Sequence, residues 1–323
     1  MAGPAASPDL SQGSSRGGVG VQQFFQQLSD GLVLGALYAL IALGYTMVYG
    51  IVQLINFAHG EIFMVGAFGG YTLYHYVLPS SLPSGIALLL VLLVAMLTSA
   101  LLAAFVERVA YRPLRNAPRL APLITAIGVS IALQESIRLF YPNGSVGKPF
   151  PQLFPRGTVD LGGVTLTYVD LFVISLALVL MLTLRTFVFR SATGRAMRAT
   201  AQDPDTARLM GVDTDRIIVI TFVLGGLLAG AAGVLQGMIA SPIDFKIGFI
   251  AGLKAFTAAV LGGIGNITGA VLGGFTLGIV EALATQYVPN GSALKDSFAF
   301  VVLVLVLVFR PTGLLGESVR SRA

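Results

Sequence analysis

Residues 86–106 read IALLLVLLVAMLTSALLAAFV, and no charged residue interrupts them. A helix needs about 20 mostly apolar residues to cross the hydrocarbon of a bilayer. The run meets that length, is too long for a barrel strand, and lacks a barrel strand's alternation. Lipid offers no hydrogen bonds, so only helices and closed barrels can span it. The stretch therefore predicts an all-α, polytopic integral membrane protein.

The same reading extends in both directions. Leu32–Tyr49, Ile62–Leu78, Leu120–Tyr141, Val169–Phe189, Ile217–Ala240 and Ser297–Phe309 are further apolar runs. Gly252–Ala284 is long and glycine-rich and reads as two segments. The total is about eight to ten transmembrane or re-entrant helices. Composition agrees: 55% of residues are hydrophobic and 11% are charged, against roughly 25% charged in a soluble domain. Residues 1–20 are rich in Gly, Ser, Ala and Pro, hold no apolar run, and are expected to be a disordered tail. The membrane domain is placed at 21–316 and a short cytoplasmic tail at 317–323.

Arginines set the orientation. Arg108, Arg112, Arg115 and Arg119 share one loop, and Arg190, Arg195, Arg198, Arg208 and Arg216 share another. Arg310, Arg320 and Arg322 lie in the C-terminal tail. The positive-inside rule puts these regions in the cytoplasm and the loop 142–168 outside. The net charge of +5 thus reflects membrane topology and not nucleic-acid binding. With no cysteine and only His59 and His75, neither a thiolate nor a His-rich metal centre is expected. Lys148, Lys246, Lys254 and Lys295 are followed by Pro, Ile, Ala and Asp, so no phosphate loop exists. No catalytic residue and no cofactor are expected. If ATP drives this chain, another chain binds it.

Several segments carry functional signals. Gln53–Glu61, QLINFAHGE, joins two apolar runs with no proper loop. It places Gln53, Asn56, His59 and Glu61 beside or within the membrane, where polar groups usually turn inward. The segment reads as a gate or pathway element, or as an interfacial turn facing water. Glycines dominate two later regions, which suits close helix packing. Gly262, Gly263, Gly265 and Asn266 add a candidate helix break or hinge. In the loop 190–216, Asp203 suits an N-cap, Pro204 a first turn and Gly211 a stop. This short helix reads as a coupling element that docks on a motor subunit, or as a solvated loop. Glu135 and Arg138 are expected as a buried pair sharing one helix face, and Glu281 is noted as a charge near the end of a span.

Six blocks carry a family resemblance: YTMVYG at 45–50, INFAHGE at 55–61, ERVAYRP at 107–113, GVDTDR at 211–216, KAFTAAVLGGIGN at 254–266 and PTGLLG at 311–316. Together they resemble the permeases of branched-chain amino acid ATP-binding-cassette importers, over about residues 22–316. The resemblance implies a multi-pass protein of a bacterial inner membrane and no enzyme activity in this chain. It implies two cytoplasmic ATP-binding subunits, a second homologous permease and an extracytoplasmic binding protein. It places the ATPase-coupling loop at Asp203, Asp205, Thr206, Ala207 and Gly211. The later Ile-x-Leu-Pro part of the usual loop pattern is absent. Urea-type permeases are similar but tend to be longer. An ion-coupled carrier is the other reading, although only Glu135 and Arg138 stand out as mid-span charges.

Overall fold

The structure is a computed structural model that describes residues 13–316 except 80, 116 and 119. Residues 1–12 of the expected disordered tail and the tail 317–323 therefore lie outside the described residues, whereas 13–20, expected disordered, already belong to the first helix. The chain is a helical bundle. In order it runs α1 (Gly13–Val52), α2 (His59–Thr72), α3 (Ser84–Val106), α4 (Leu120–Phe140), α5 (Tyr168–Arg190), α6 (Ala192–Gln202), α7 (Pro204–Leu209), α8 (Thr214–Ile239), α9 (Ile247–Gly262), α10 (Ile267–Tyr287) and α11 (Lys295–Phe309). A two-stranded hairpin, β1 (Thr158–Asp160) with β2 (Thr165–Thr167), sits in the long loop between α4 and α5.

Six helices are long and apolar enough to cross a membrane, and they lie in α1, α3, α4, α5, α8 and α10. Three apolar helices are shorter: α2 has 14 residues, α9 has 16 and α11 has 15. At 1.5 Å per residue each falls short of the roughly 30 Å hydrocarbon core. Against the expected eight to ten segments the described residues hold six full-length spans, and the chain is a multi-pass membrane protein.

The bundle is built around α1. Of its central stretch, 89% is buried, against 17% for α4. α10 crosses α1 at backbone distance. A side chain added at Gly274 would meet the Ala39 Cα at 2.5 Å, and one at Gly278 would meet the Gly35 Cα at 2.5 Å. Dispersion across such a contact replaces the hydrophobic drive that lipid does not supply. α8 packs in the same way on α2 and α3. The arginine-rich loops gather at one end of the bundle. The β-hairpin marks the other, and Gln26 near the start of α1 donates to the Thr165 carbonyl at 3.0 Å. The start of α1 therefore lies on the hairpin side, which loop charge alone left open.

Inserting even a few methyl groups at such a crossing costs about 1–3 kcal/mol. Gly274→Val should lower the melting temperature of the detergent-solubilised chain by several degrees. Gly128→Val, where a side chain meets open space, should leave it unchanged. Equal melting of the two variants would contradict this packing.

Candidate functional site

The segment between α1 and α2 turns back into the bundle. α1 ends at Val52, and Gln53 follows with φ +55°. α2 starts at His59, whose ring lies over Gly44 and edge-on to Tyr45, with centroids 4.8 Å apart. Gly44 is two turns before the end of α1, about 12 Å along its axis, so α2 begins inside the bundle and not at its rim. The structure brings Asn56, His59 and Glu61 together in the interior, whereas Gln53 stays exposed. Asn56 Oδ1 accepts from the Tyr111 hydroxyl at 3.0 Å. Glu61 Oε1 accepts from Ser130 Oγ at 3.1 Å and Gln134 Nε2 at 3.5 Å. Asn56 Nδ2, His59 Nε2 and Glu61 Oε2 are buried without a partner. Buried polar atoms normally find one, so their concentration at one break is informative.

A second break separates α9 from α10. Gly263 has φ +103° and Gly265 has φ +94°, a backbone region that glycine alone enters cheaply. Asn266 caps α10 by accepting from the Gly269 amide at 3.0 Å and donates to the Leu315 carbonyl at 2.9 Å. Leu314 and Leu315 donate to the carbonyls of Leu261 and Gly262, so the end of the chain satisfies groups the break leaves open. The two breaks meet. Tyr45, Tyr49, Ile55, Phe256, Ala259 and Ile264 line one seam between them, closed to about 10 Å³, barely room for a water molecule.

A buried charge cluster lies nearby. Lys254 Nζ on α9 reaches Glu281 on α10 at 2.6 Å and Asp296 on α11 at 2.7 Å. Tyr38 on α1 donates to Glu281 at 2.9 Å. This cluster corrects the sequence reading of Glu135 and Arg138. Those two do pair, but their side chains are 39% and 42% exposed on the outer side of α4, not buried. Lys254 and Glu281, an interior pair, are 27 residues apart on two helices, so helix periodicity could not reveal it. A lone lysine inside the apolar run 247–262 was the available signal. Among the described residues no group of three His, Cys, Asp or Glu could hold a metal.

At the arginine-rich end, α6 and α7 bridge α5 to α8. Asp203 caps α7 by accepting from the amides of Asp205 and Thr206. The Thr206 hydroxyl and then its amide hold the Asp203 carboxyl below the usual carboxylate range. The cap is therefore complete above the ordinary carboxylate pKa and is lost only as pH falls through the lowered value. Gly211, with φ +85°, ends the element. Asp203, Asp205, Thr206 and Gly211 are exposed, while Ala207 is buried beneath the helix and touches the bundle. Leu209 and Met210, which the sequence reading passed over, are 87% and 80% exposed. Behind them Arg112 and Arg115 clamp Asp215 at 2.7 and 2.5 Å, and Arg115 also holds Glu107. The clamp ties the end of α3 to the start of α8.

Broken helices with buried polar atoms, joined to an exposed capped helix on the basic face, are features that transport permeases use. The pattern of the family described as "Branched-chain amino acid transport system / permease component" matches residues 27–307, and the chain belongs to that family. It is 45% identical over 302 residues to the high-affinity branched-chain amino acid transport system permease protein BraD of Pseudomonas aeruginosa, covering 92% of this chain and 97% of BraD. It is 44% identical over 299 residues to the corresponding LivH protein of Escherichia coli, covering 91% of this chain and 96% of LivH. A probable branched-chain permease of Methanocaldococcus jannaschii is 27% identical over 216 residues, 64% of each chain.

Removing one partner of a buried ion pair typically costs about 3–5 kcal/mol. Lys254→Met should therefore destabilise the chain strongly, and the double change Lys254→Met with Glu281→Leu should recover much of the loss. Chemical denaturation of the detergent-solubilised protein measures both. A double variant less stable than the single would contradict this account of the cluster.

Proposed function

We propose that the chain is the membrane-spanning permease of an ATP-binding-cassette importer for branched-chain or related neutral amino acids, in the inner membrane of a bacterium. Residues 21–316 serve as its permease domain. Two cytoplasmic ATP-binding subunits supply the power, a second homologous permease completes the pathway, and an extracytoplasmic binding protein delivers substrate. ATP hydrolysis belongs to the partners. The observation that carries this reading is the exposed α7 on the basic face, mounted between two full spans and clamped through Asp215 to a third. The names of the relatives support the substrate class.

Closure of the ATP-binding subunits pushes on Asp205, Leu209, Met210 and Gly211. Asp203 and Thr206 keep α7 rigid, and Ala207 seats it against the bundle. The push tilts α5 and α8, and through the arginine clamp it also reaches α3. The breaks at Gln53–Glu61 and Gly262–Asn266 yield first, because their backbone is not locked into a continuous helical ladder. Opening there parts the aromatic seam and exchanges outward for inward access.

Large apolar side chains at the centre of an interface carry much of its binding energy. Leu209→Asp with Met210→Asp should cut ATP-driven leucine uptake in reconstituted vesicles about tenfold or more. The ATP-binding subunits should be lost on purification while the permease keeps its melting temperature. Unchanged uptake would rule out α7 as the coupling element.

A further inference from the structure

Among the described residues, three glutamates lie inside the bundle: Glu61, Glu107 and Glu281. Two have a cation built beside them, since Glu107 pairs with Arg115 and Glu281 with Lys254. Glu61 has none among the ion pairs of the described residues. One of its oxygens accepts from Ser130 and Gln134, and the other has no partner. A buried carboxylate without a counter-charge is the costly case, so Glu61 is a place where an incoming cation would be stabilised.

The surroundings indicate where such a cation would come from. Glu61 lies in the first turn of α2, and its free oxygen lies against Gly248 of α9. Its two donors both sit on α4, the least buried of the full spans. The outer faces of α3 and α11 are lipid-like, with Leu89, Leu93 and Leu97 on one and Val301, Val304 and Leu305 on the other. The outer face of α4 carries Ile124, Ile127 and Ile131 along its length and Glu135, Ser136 and Arg138 only near its end. Charged and hydroxyl groups are costly against lipid, so this end of α4 borders water or protein. Gln134, which donates to Glu61, adjoins this polar end of α4. α4 packs chiefly on α2 and on the turn at 107–111, with Ala126 buried in the core.

We propose that Glu61 is the subsite for the α-ammonium group of the transported amino acid, with Ser130 and Gln134 positioning its carboxylate. The inference rests on the permease reading above. A primary ammonium carries three N–H donors and no acceptor, which matches a carboxylate with one oxygen already held and one free. The free oxygen lies against Gly248, so parting of α9 from α2 there would open the subsite while Ser130 and Gln134 keep their hold.

The test uses the complete complex with its ATP-binding subunits, and two ligands that differ in one group. L-leucine carries the ammonium, and α-hydroxyisocaproate carries a hydroxyl in its place. Millimolar leucine should raise the melting temperature of the wild-type complex, and the hydroxy acid should not. Glu61→Gln should lose the response to leucine, and Glu61→Asp should keep part of it. In vesicles, Glu61→Gln should lower the maximal leucine uptake about tenfold, while ATP hydrolysis stimulated by the loaded binding protein persists. A Glu61→Gln complex that keeps the leucine response and imports within about twofold of wild type would overturn the assignment. Should that variant fail to fold, equal responses of the wild-type complex to both ligands would overturn it instead. A wild-type complex that imports no amino acid would defeat the permease reading, and this inference with it.

Discussion

Hydrocarbon cannot hydrogen-bond, and that constraint shapes this molecule. Each backbone polar group within the spans needs a partner from the protein. Helices meet the requirement automatically along their length and fail at their ends. The chain nevertheless ends two helices within or beside the bundle, at Val52 and Gly262, and starts two others at His59 and Ile267. Each break is mended by hand. Asn56 and Asn266 supply side-chain and backbone acceptors, and the segment Leu314–Leu315 caps the carbonyls of Leu261 and Gly262. These repairs are local and weak compared with a continuous helical ladder, which is why the two breaks are where movement is cheapest.

Packing sets how that movement spreads. Glycines let α10 lie against α1, and α8 against α2 and α3, at backbone distance. Such contacts resist sliding and transmit tilt as rigid bodies. The Arg112–Asp215–Arg115–Glu107 clamp fastens the basic ends of α3 and α8 in the same way. Lys254, Glu281, Asp296 and Tyr38 fasten α1, α9, α10 and α11 from within. Between these fixed groups, the seam lined by Tyr45 and Phe256 is held only by apolar contact. Firm blocks and a closed seam are the parts an alternating-access device requires.

Much of this was legible in the sequence, and the physics says why. Long apolar runs announce membrane helices whatever their neighbours, so α1, α3, α5 and α8 stood out at once. The N-cap at Asp203 and the stop at Gly211 could be read because capping is local. The broken segments at 53–61 and 262–266 showed as polar or glycine-rich interruptions. What stayed hidden depends on distance in the chain. Lys254 meets Glu281 only once α9 and α10 have folded against each other. Glu135 and Arg138 share a helix face, and only the surrounding helices decide that this face points outward. The exposure of Leu209 and Met210 was equally invisible, since a leucine and a methionine at the end of a short helix read as core.

The account turns on the seam between the two breaks being a gate that responds to the ATP-binding partners. The protein contains no cysteine, so single reporters can be placed without background. Ile55→Cys and Ile264→Cys, in the assembled complex in vesicles, report on the seam through labelling by a membrane-impermeant maleimide added on the basic side. The account predicts slow labelling in one nucleotide state and fast labelling in the other at both positions, with Leu89→Cys on the lipid face indifferent to nucleotide. Labelling of both seam positions that is the same with and without nucleotide would contradict it.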